Sequence, residues 1–216
     1  MLSLLKTLVL SSLLAASSAA LADPELAASE TDIRPILLGS PLPDAAVLTL
    51  GGKPSTLKEV VHGAPAVVVF YRGGWCPYCN LQLSELQKVE GQLQELGYQV
   101  IAVSPDLPEE INQTLENNPL KYTLVSDGNA NASRAFGIAY KVDDKTFKQY
   151  RDWGIYLDKR SGSDLQALPV PAVFIVDAQG TIQFSYVHPD YKIRTPAGVV
   201  VEAARAIAQR KHRLKP

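Results

Sequence analysis

Apolar positions divide the chain into short runs separated by turn residues. Their spacing alternates between the two-residue period of strands and the 3.6-residue period of helices. Ala45 to Leu50 is a strand candidate followed by the turn pair Gly51-Gly52, and Ser55 or Thr56 is placed to cap a helical turn running through Val61. Ala66 to Tyr71 (AVVVFY) is continuously apolar, rich in β-branched residues and bounded by Gly63 and Gly73, which predicts a central buried strand. Pro65 stands just ahead of it, where a strand entry tolerates a missing N–H. Leu83, Leu86, Val89, Leu93 and Leu96 then recur at helical spacing as far as Gly97, a helix stop.

The same reading continues with a strand over Gln99 to Ser104, a helix over Pro108 to Leu115 with Glu109 and Glu110 in its first turn, and a strand over Tyr122 to Val125. Asp127-Gly128 is a turn, and Ala130 to Phe136 a helix that ends near Gly137. This β-α-β-α-β-α order predicts an α/β domain with a central mixed sheet flanked by helices and some parallel pairing. Residues 141–168 carry more charge and no clean period; they read as an insertion with one helix around Lys145 to Trp153. Two strands follow, Ala172 to Val176 and Thr181 to Val187, about the turn Asp177-Ala178-Gln179-Gly180. Thr195 as cap and Pro196 as first residue open a last helix to about Gln209.

Composition narrows this picture. A chain of 216 residues that is 46% hydrophobic suits one domain with a full core. The net charge of −1 leaves no basic excess to neutralise phosphates, which argues against a nucleic-acid partner. Residues 1–22 read as a signal peptide. Lys6 is the only early charge, Leu8 to Ala16 is a short apolar run, and Ala20-Leu21-Ala22 is a small-x-small cleavage pattern. The run is shorter than the roughly 18 residues of a spanning helix. Cleavage after Ala22 and export, to the bacterial periplasm, are therefore expected, with no stable membrane association afterwards; an uncleaved anchor is the alternative. Residues 23–36 read as a flexible arm, and 37–212 as the folded domain. Nothing in the sequence specifies an oligomeric state.

The chemistry lies in two cysteines, Cys76 and Cys79, the only ones in the chain. The ring they would close is too small for a useful staple by loop entropy, whereas the C-x-x-C spacing suits reversible dithiol chemistry. Cys76 falls between a buried strand and a long helix. There the unpaired N–H groups and the positive end of the dipole favour a thiolate. Arg72 adds positive potential if it faces the site, Trp75 is a lid or an ordinary core residue, and Pro77 stiffens the first helical turn. Tyr78 is expected at the surface, tuning partner contacts. A half zinc site, a structural disulfide and two inert buried thiols are the competing readings. The first lacks obvious further ligands, since His62, His188 and His212 are scattered. On its residues alone, Pro171 is an allowed strand entry with the trans bond that most X–Pro pairs have.

From Phe70 to Cys79 (FYRGGWCPYC) the sequence resembles the peroxiredoxin-like branch of the alkyl hydroperoxide reductase/thiol-specific antioxidant (AhpC/TSA) family. Ser126-Asp127-Gly128 with Ala132 to Gly137, Leu168 to Gly180, and Val187-His188-Pro189-Asp190-Tyr191 are similar too, so that the likeness spans about residues 33–210. The resemblance implies a thioredoxin-like fold. It also implies thiol-dependent reduction of hydroperoxides, with a thioredoxin-like dithiol as electron donor and no cofactor. Two departures stand out. Counted along the family's Pro-x-x-x-Thr-x-x-Cys loop, Arg72 takes the Pro place, Cys76 the Thr place and Cys79 the place of the peroxide-attacking Cys. The Arg usual before the late strand's Phe falls on Pro171. In contrast, Trp75-Cys76-x-x-Cys79 with Pro171 resembles thioredoxin and glutaredoxin sites. That frame implies a cis Val170–Pro171 bond opposite the dithiol, with Cys76 attacking and Cys79 resolving. The two frames assign opposite roles to the cysteines. Three functions follow: a peroxidase, a thiol–disulfide oxidoreductase for exported proteins, and a redox-inactive binding module.

Overall fold

The computed structural model describes residues 25–117 and 119–213, so the expected targeting segment lies outside the described residues. The AVVVF run forms β3 (Ala66–Phe70), every residue of it buried. β3 is an inner strand of a seven-stranded sheet and is paired on both sides. On one side lies the parallel β4 (Gln99–Ser104), followed by the parallel β5 (Thr123–Ser126). On the other lies the antiparallel β8 (Ala172–Val176), then β9 (Ile182–Val187), which returns from the predicted hairpin turn. The hairpin of β1 (Ala46–Thr49) and β2 (Pro54–Thr56) closes the far edge against β5.

Because strand side chains alternate, the sheet supports two cores. Val67, Val69, Val173 and Ile175 face α2 (Pro77–Glu95) and α7 (Ala197–Arg213), meeting Leu83, Leu86, Val200 and Ala204. Val68, Phe70 and Phe174 face the other way, meeting Phe136, beyond α4 (Asn131–Ala135), and the buried Leu57 and Val61 of α1 (Leu57–Val61). Local signals hold as expected. Thr56 and Glu59 form a reciprocal capping box at α1, at 2.9 and 3.2 Å. Gly97, at φ +82°, lets the α2 end close with Gly97 N–H on Gln94 O and Tyr98 N–H on Leu93 O.

Four expectations change. The insertion holds more than one helix. It holds α5 (Asp144–Asp152) and α6 (Leu157–Ser161), and it is bounded by β6 (Ala139–Lys141) and β7 (Ala167–Pro169), which pair in a separate ribbon. Strands of three residues are too short to show a period. Residues 25–36, read as a flexible arm, are tied to the domain by Ala27 N–H to Ala139 O, Arg34 N–H to Gly137 O and Ile36 N–H to Phe136 O. Thr195 is buried with its hydroxyl unpartnered, and so does not cap α7. The Val170–Pro171 bond is trans, as are all the described bonds. Extended trans backbone joins β7 directly to β8, with Val170 N–H bonded to Ile138 O. No described helix is long and apolar enough to cross a membrane.

Candidate active site

The chain leaves β3 through Tyr71-Arg72-Gly73-Gly74-Trp75 and enters α2 at Cys76, the N-cap residue, with Pro77 in the first turn. The glycine pair is dictated by space. Gly73 sits at φ +137°, and a Cβ there would collide with the Trp75 ring; a Cβ on Gly74 would collide with Thr114. The Gly74 N–H donates to Asp106 at 2.8 Å. Asp106, buried just beyond β4, also receives Arg160 of α6 through two nitrogens, at 3.1 and 3.2 Å, while Arg160 reaches Glu110 at 2.7 Å. Burial raises the Asp106 pKa, opposed by Arg160 and the Gly74 amide. The turn is thus pinned from below by the insertion.

Arg72 is 2% exposed. Its guanidinium lies over three rings, Tyr191 at 4.2 Å, Trp75 at 5.0 Å and Tyr150 at 5.6 Å, and donates to the Tyr150 hydroxyl. Burial works against its charge, but Tyr140, Tyr150 and the two sulfurs together hold its pKa above the ordinary value. Burial likewise pushes the Tyr140 hydroxyl up to about 12, against the pull of Arg72.

The two sulfurs are unlinked and shielded, with Cys76 1% and Cys79 0% exposed. They are pulled in opposite directions. A hydrogen bond from the Cys79 thiol lowers the Cys76 pKa to about 6 in spite of burial. The Cys79 amide, Arg194 and Arg72 add to that lowering. Burial raises Cys79 well above the usual thiol range, and its bond to Cys76 holds the proton there. The arrangement is a thiolate at the helix start with a protonated thiol one turn on.

The sequence reading brought five neighbours to this place. Arg72 and Trp75 meet under the dithiol; Trp75 is half-buried, with its ring 5.5 Å from Tyr150. Pro77 fills the first helical turn. Tyr78 is 40% exposed, with its ring 5.8 Å from Tyr191. Pro171 is not the cis backbone element that was expected. Its carbonyl accepts the His188 N–H at 3.2 Å and so anchors the connection between β9 and α7.

That connection carries the residue that sequence reasoning missed. Arg194 Nη2 donates to Cys79 Sγ at 3.2 Å and Cys76 Sγ at 3.6 Å, Nη1 to Gln82 Oε1 at 3.2 Å, and Nε to the Tyr191 carbonyl at 2.8 Å. Nothing in the local pattern around Lys192-Ile193-Arg194 distinguishes it from a surface charge. Tyr150 and Arg160 were likewise hidden in the aperiodic insertion, and Tyr140 stands just ahead of it. Asp127, expected to serve a turn, is buried and accepts the Ala132 and Ser133 N–H groups at 2.8 and 2.9 Å; burial pushes its pKa up to about 6. Among the described residues, no group of three or more His, Cys, Asp or Glu side chains is placed to hold a metal ion.

The AhpC/TSA family model matches residues 38–185, which include β3, the C-x-x-C and the helix that starts there. The chain belongs to the AhpC/TSA family. It is 25% identical over 169 residues to Peroxiredoxin Bcp of Escherichia coli, covering 78% of this chain and 96% of that one. It is 29% identical over 90 residues to the thiol-disulfide oxidoreductase ResA of Halalkalibacterium halodurans, covering 41% of this chain and 50% of that one. The crystal structure of peroxidoxin BcpB from Mycobacterium tuberculosis superposes with a TM-score of 0.60 at 17% identity, covering 79% of this chain and 97% of that one. The fold is therefore the thioredoxin-like fold of that structure, and the family match stops short of Arg194.

Proposed function

We propose that this chain is a thiol-dependent peroxidase that reduces hydrogen peroxide or an organic hydroperoxide through a Cys76–Cys79 dithiol/disulfide cycle. The observation that carries the reading is the opposed ionisation of the two sulfurs, Cys76 lowered to about 6 and Cys79 raised. At neutral pH the Cys76 thiolate attacks one peroxide oxygen, the O–O bond breaks, and Cys76 becomes a sulfenic acid. Cys79 then attacks the Cys76 sulfur, expels hydroxide and closes the disulfide, which a thioredoxin-like dithiol reduces. Membership of the AhpC/TSA family and the relation to a peroxiredoxin support this assignment. The roles follow the thioredoxin frame, within a chain of the peroxidase family.

The test follows peroxide loss with excess dithiothreitol. Wild type turns over. Cys76→Ser is inactive and gives no sulfenic acid adduct with a dimedone-type trap. Cys79→Ser gives the adduct, on Cys76, but no intramolecular disulfide. An adduct on Cys79 in Cys76→Ser protein would reverse the roles.

A second reading, a thiol–disulfide oxidoreductase, is favoured by the partial relation to ResA. Insulin reduction by the wild type without peroxide loss would establish it in place of the first. In either case, the signal-like residues 1–22 support export to the periplasm. Fractionation of cells expressing the full chain should find it there, shortened after Ala22. An exported thioredoxin-like protein or a membrane electron relay would then be the donor; failure of such partners to reduce the disulfide would count against it.

A further inference from the structure

The surroundings of the dithiol are matched to its reduced state. Arg72 is enclosed by rings and donates to the Tyr150 hydroxyl. Arg194 reaches both sulfurs, and its other partners, the Tyr191 carbonyl and the Gln82 amide oxygen, carry no charge. Among the described residues neither arginine pairs with a carboxylate. Asp106 and Glu110, which support the turn, are taken up by Arg160. The anion that answers both cations is therefore the Cys76 thiolate, whose ionisation both favour. Closing the Cys76–Cys79 disulfide removes that anion. It leaves two cations unmatched, one of them buried where water screens it little. A dithiol whose reduced form is stabilised in this way makes an oxidising disulfide. Apolar side chains also stand exposed beside the sulfurs. Tyr78, two residues after Cys76, meets Tyr191; Leu81 lies one turn further along α2 and Ile193 adjoins Arg194, at 59% and 44% exposure. A small thiol needs no such rim, whereas a polypeptide with apolar side chains can rest on it.

We propose that the oxidised site passes its disulfide to cysteine pairs of other proteins, which makes the chain a peroxide-driven thiol oxidase; the inference rests on the peroxidase reading above, which supplies the oxidant. The client is an unfolded polypeptide that carries two reduced cysteines near apolar side chains. Peroxide first takes two electrons from the dithiol, giving ROH, water and the Cys76–Cys79 disulfide. A client thiolate then attacks the Cys76 sulfur, the S–S bond breaks, and Cys79 leaves and takes up a proton. The client's second thiol loses its proton to water and attacks the client sulfur of the mixed disulfide. Cys76 leaves as a thiolate, restored to its two cations. Over the cycle ROOH and a client dithiol become ROH, water and a client disulfide. The site favours the last step, because a sulfur that is stable as a thiolate is a good leaving group.

The experiment has two arms. In the first, the chain is equilibrated with glutathione buffers and the dithiol and disulfide forms are separated after acid quenching. The wild-type pair is expected to be about 10³-fold more oxidising than that of thioredoxin, close to protein disulfide isomerase. Arg194→Gln is expected to make it about tenfold less oxidising, the effect of one neighbouring charge. In the second arm, a catalytic amount of wild type is mixed with hydrogen peroxide and excess reduced, denatured ribonuclease A, with no dithiothreitol. One client disulfide is expected per peroxide consumed, well above the rate without the chain and faster than with glutathione at the same thiol concentration. Cys76→Ser should add nothing to that background, and Cys79→Ser should trap a mixed disulfide between Cys76 and the client.

A pair no more oxidising than that of thioredoxin would overturn the proposal, and so would an Arg194→Gln pair as oxidising as the wild type. Should Arg194→Gln fail to fold, the wild-type equilibrium and the client turnover decide. Glutathione serving as well as the protein would overturn the choice of client. A wild type that removes peroxide with dithiothreitol yet leaves the ribonuclease reduced sinks this inference alone. A wild type that does not react with peroxide at all sinks the peroxidase reading and this inference with it.

Discussion

The turn after β3 and the loops that close over it hold one pair of sulfurs by different means. The turn is built from short-range features: a buried strand, two glycines that exclude side chains, and a helix whose first N–H groups face the thiol. The loops are built from long-range contacts. Tyr150 and Arg160 come from the insertion, Tyr191 and Arg194 from the connection between β9 and α7, and all four act on groups more than fifty residues away in the chain. The turn supplies a place for a thiolate. The two sulfurs themselves set which one keeps the proton, through the hydrogen bond from Cys79 and its burial; the loops add one further cation, Arg194, and the rings that enclose Arg72 of the turn.

The comparison can be sharpened by titrating the reduced protein. The Cys76 pKa is lowered on folding from 9.0 to about 6, so between these values the unfolded state binds more protons. The stability of the reduced form should therefore rise with pH from about 6 to about 9, and be lost again as pH falls through 6. The gain is a few kcal/mol at most, at about 1.4 kcal/mol per unit, and it ends near the top of the window, where the unfolded Cys79 thiol ionises while the folded one keeps its proton. Denaturant melts of the reduced protein across this range should show it, and those of the disulfide form should not. A flat profile for the reduced protein would mean that turn and loops together fail to hold the thiolate.

Removing the link between insertion and turn comes next. Asp106→Ala deletes the acceptor for Gly74 N–H and the buried partner of Arg160, and should cost about 3 kcal/mol, the lower end for a broken buried pair because Glu110 still holds Arg160. The melting temperature should drop accordingly; an unchanged value would show that the insertion does not support the turn. A smaller loss follows for Tyr150→Phe, which leaves Arg72 without the hydroxyl it donates to. About 1–3 kcal/mol is expected in the same melts. The smallest effect tests the far side of the sheet. Thr56→Ala removes the α1 cap and should cost about 1 kcal/mol while leaving peroxide turnover per folded molecule unchanged. A fall in turnover would mean that the site is sensitive to the fold edge as well as to its own loops.

The same division explains what could be read in advance. The Thr56 cap, the AVVVF strand, the leucine-spaced helix ending at Gly97 and the hairpin at Asp177 to Gly180 each rest on neighbours within a few residues, and all are found where the pattern puts them. The errors fall where distant contacts outweigh local preference. Residues 25–36 look loose until β6 and the Phe136-Gly137 turn before it provide hydrogen-bond partners. Thr195 looks like a cap, yet its hydroxyl is buried without a partner. The cis Val170–Pro171 bond, by contrast, was implied by resemblance alone; the bond is trans, as the residues by themselves favour.

By itself the sequence determined an α/β domain with a dithiol at the start of a helix after a buried strand, because periodicity, capping and turn chemistry are local and additive along the chain. It did not determine which sulfur is ionised. That was decided when folding buried Cys79 completely and set its thiol to donate to Cys76, while Arg194, carried across more than a hundred residues of chain to both sulfurs, and the ring-enclosed Arg72 added to the lowering of Cys76. Coulomb energy and desolvation depend on distance in space and on exclusion of water, and neither is written in the order of residues.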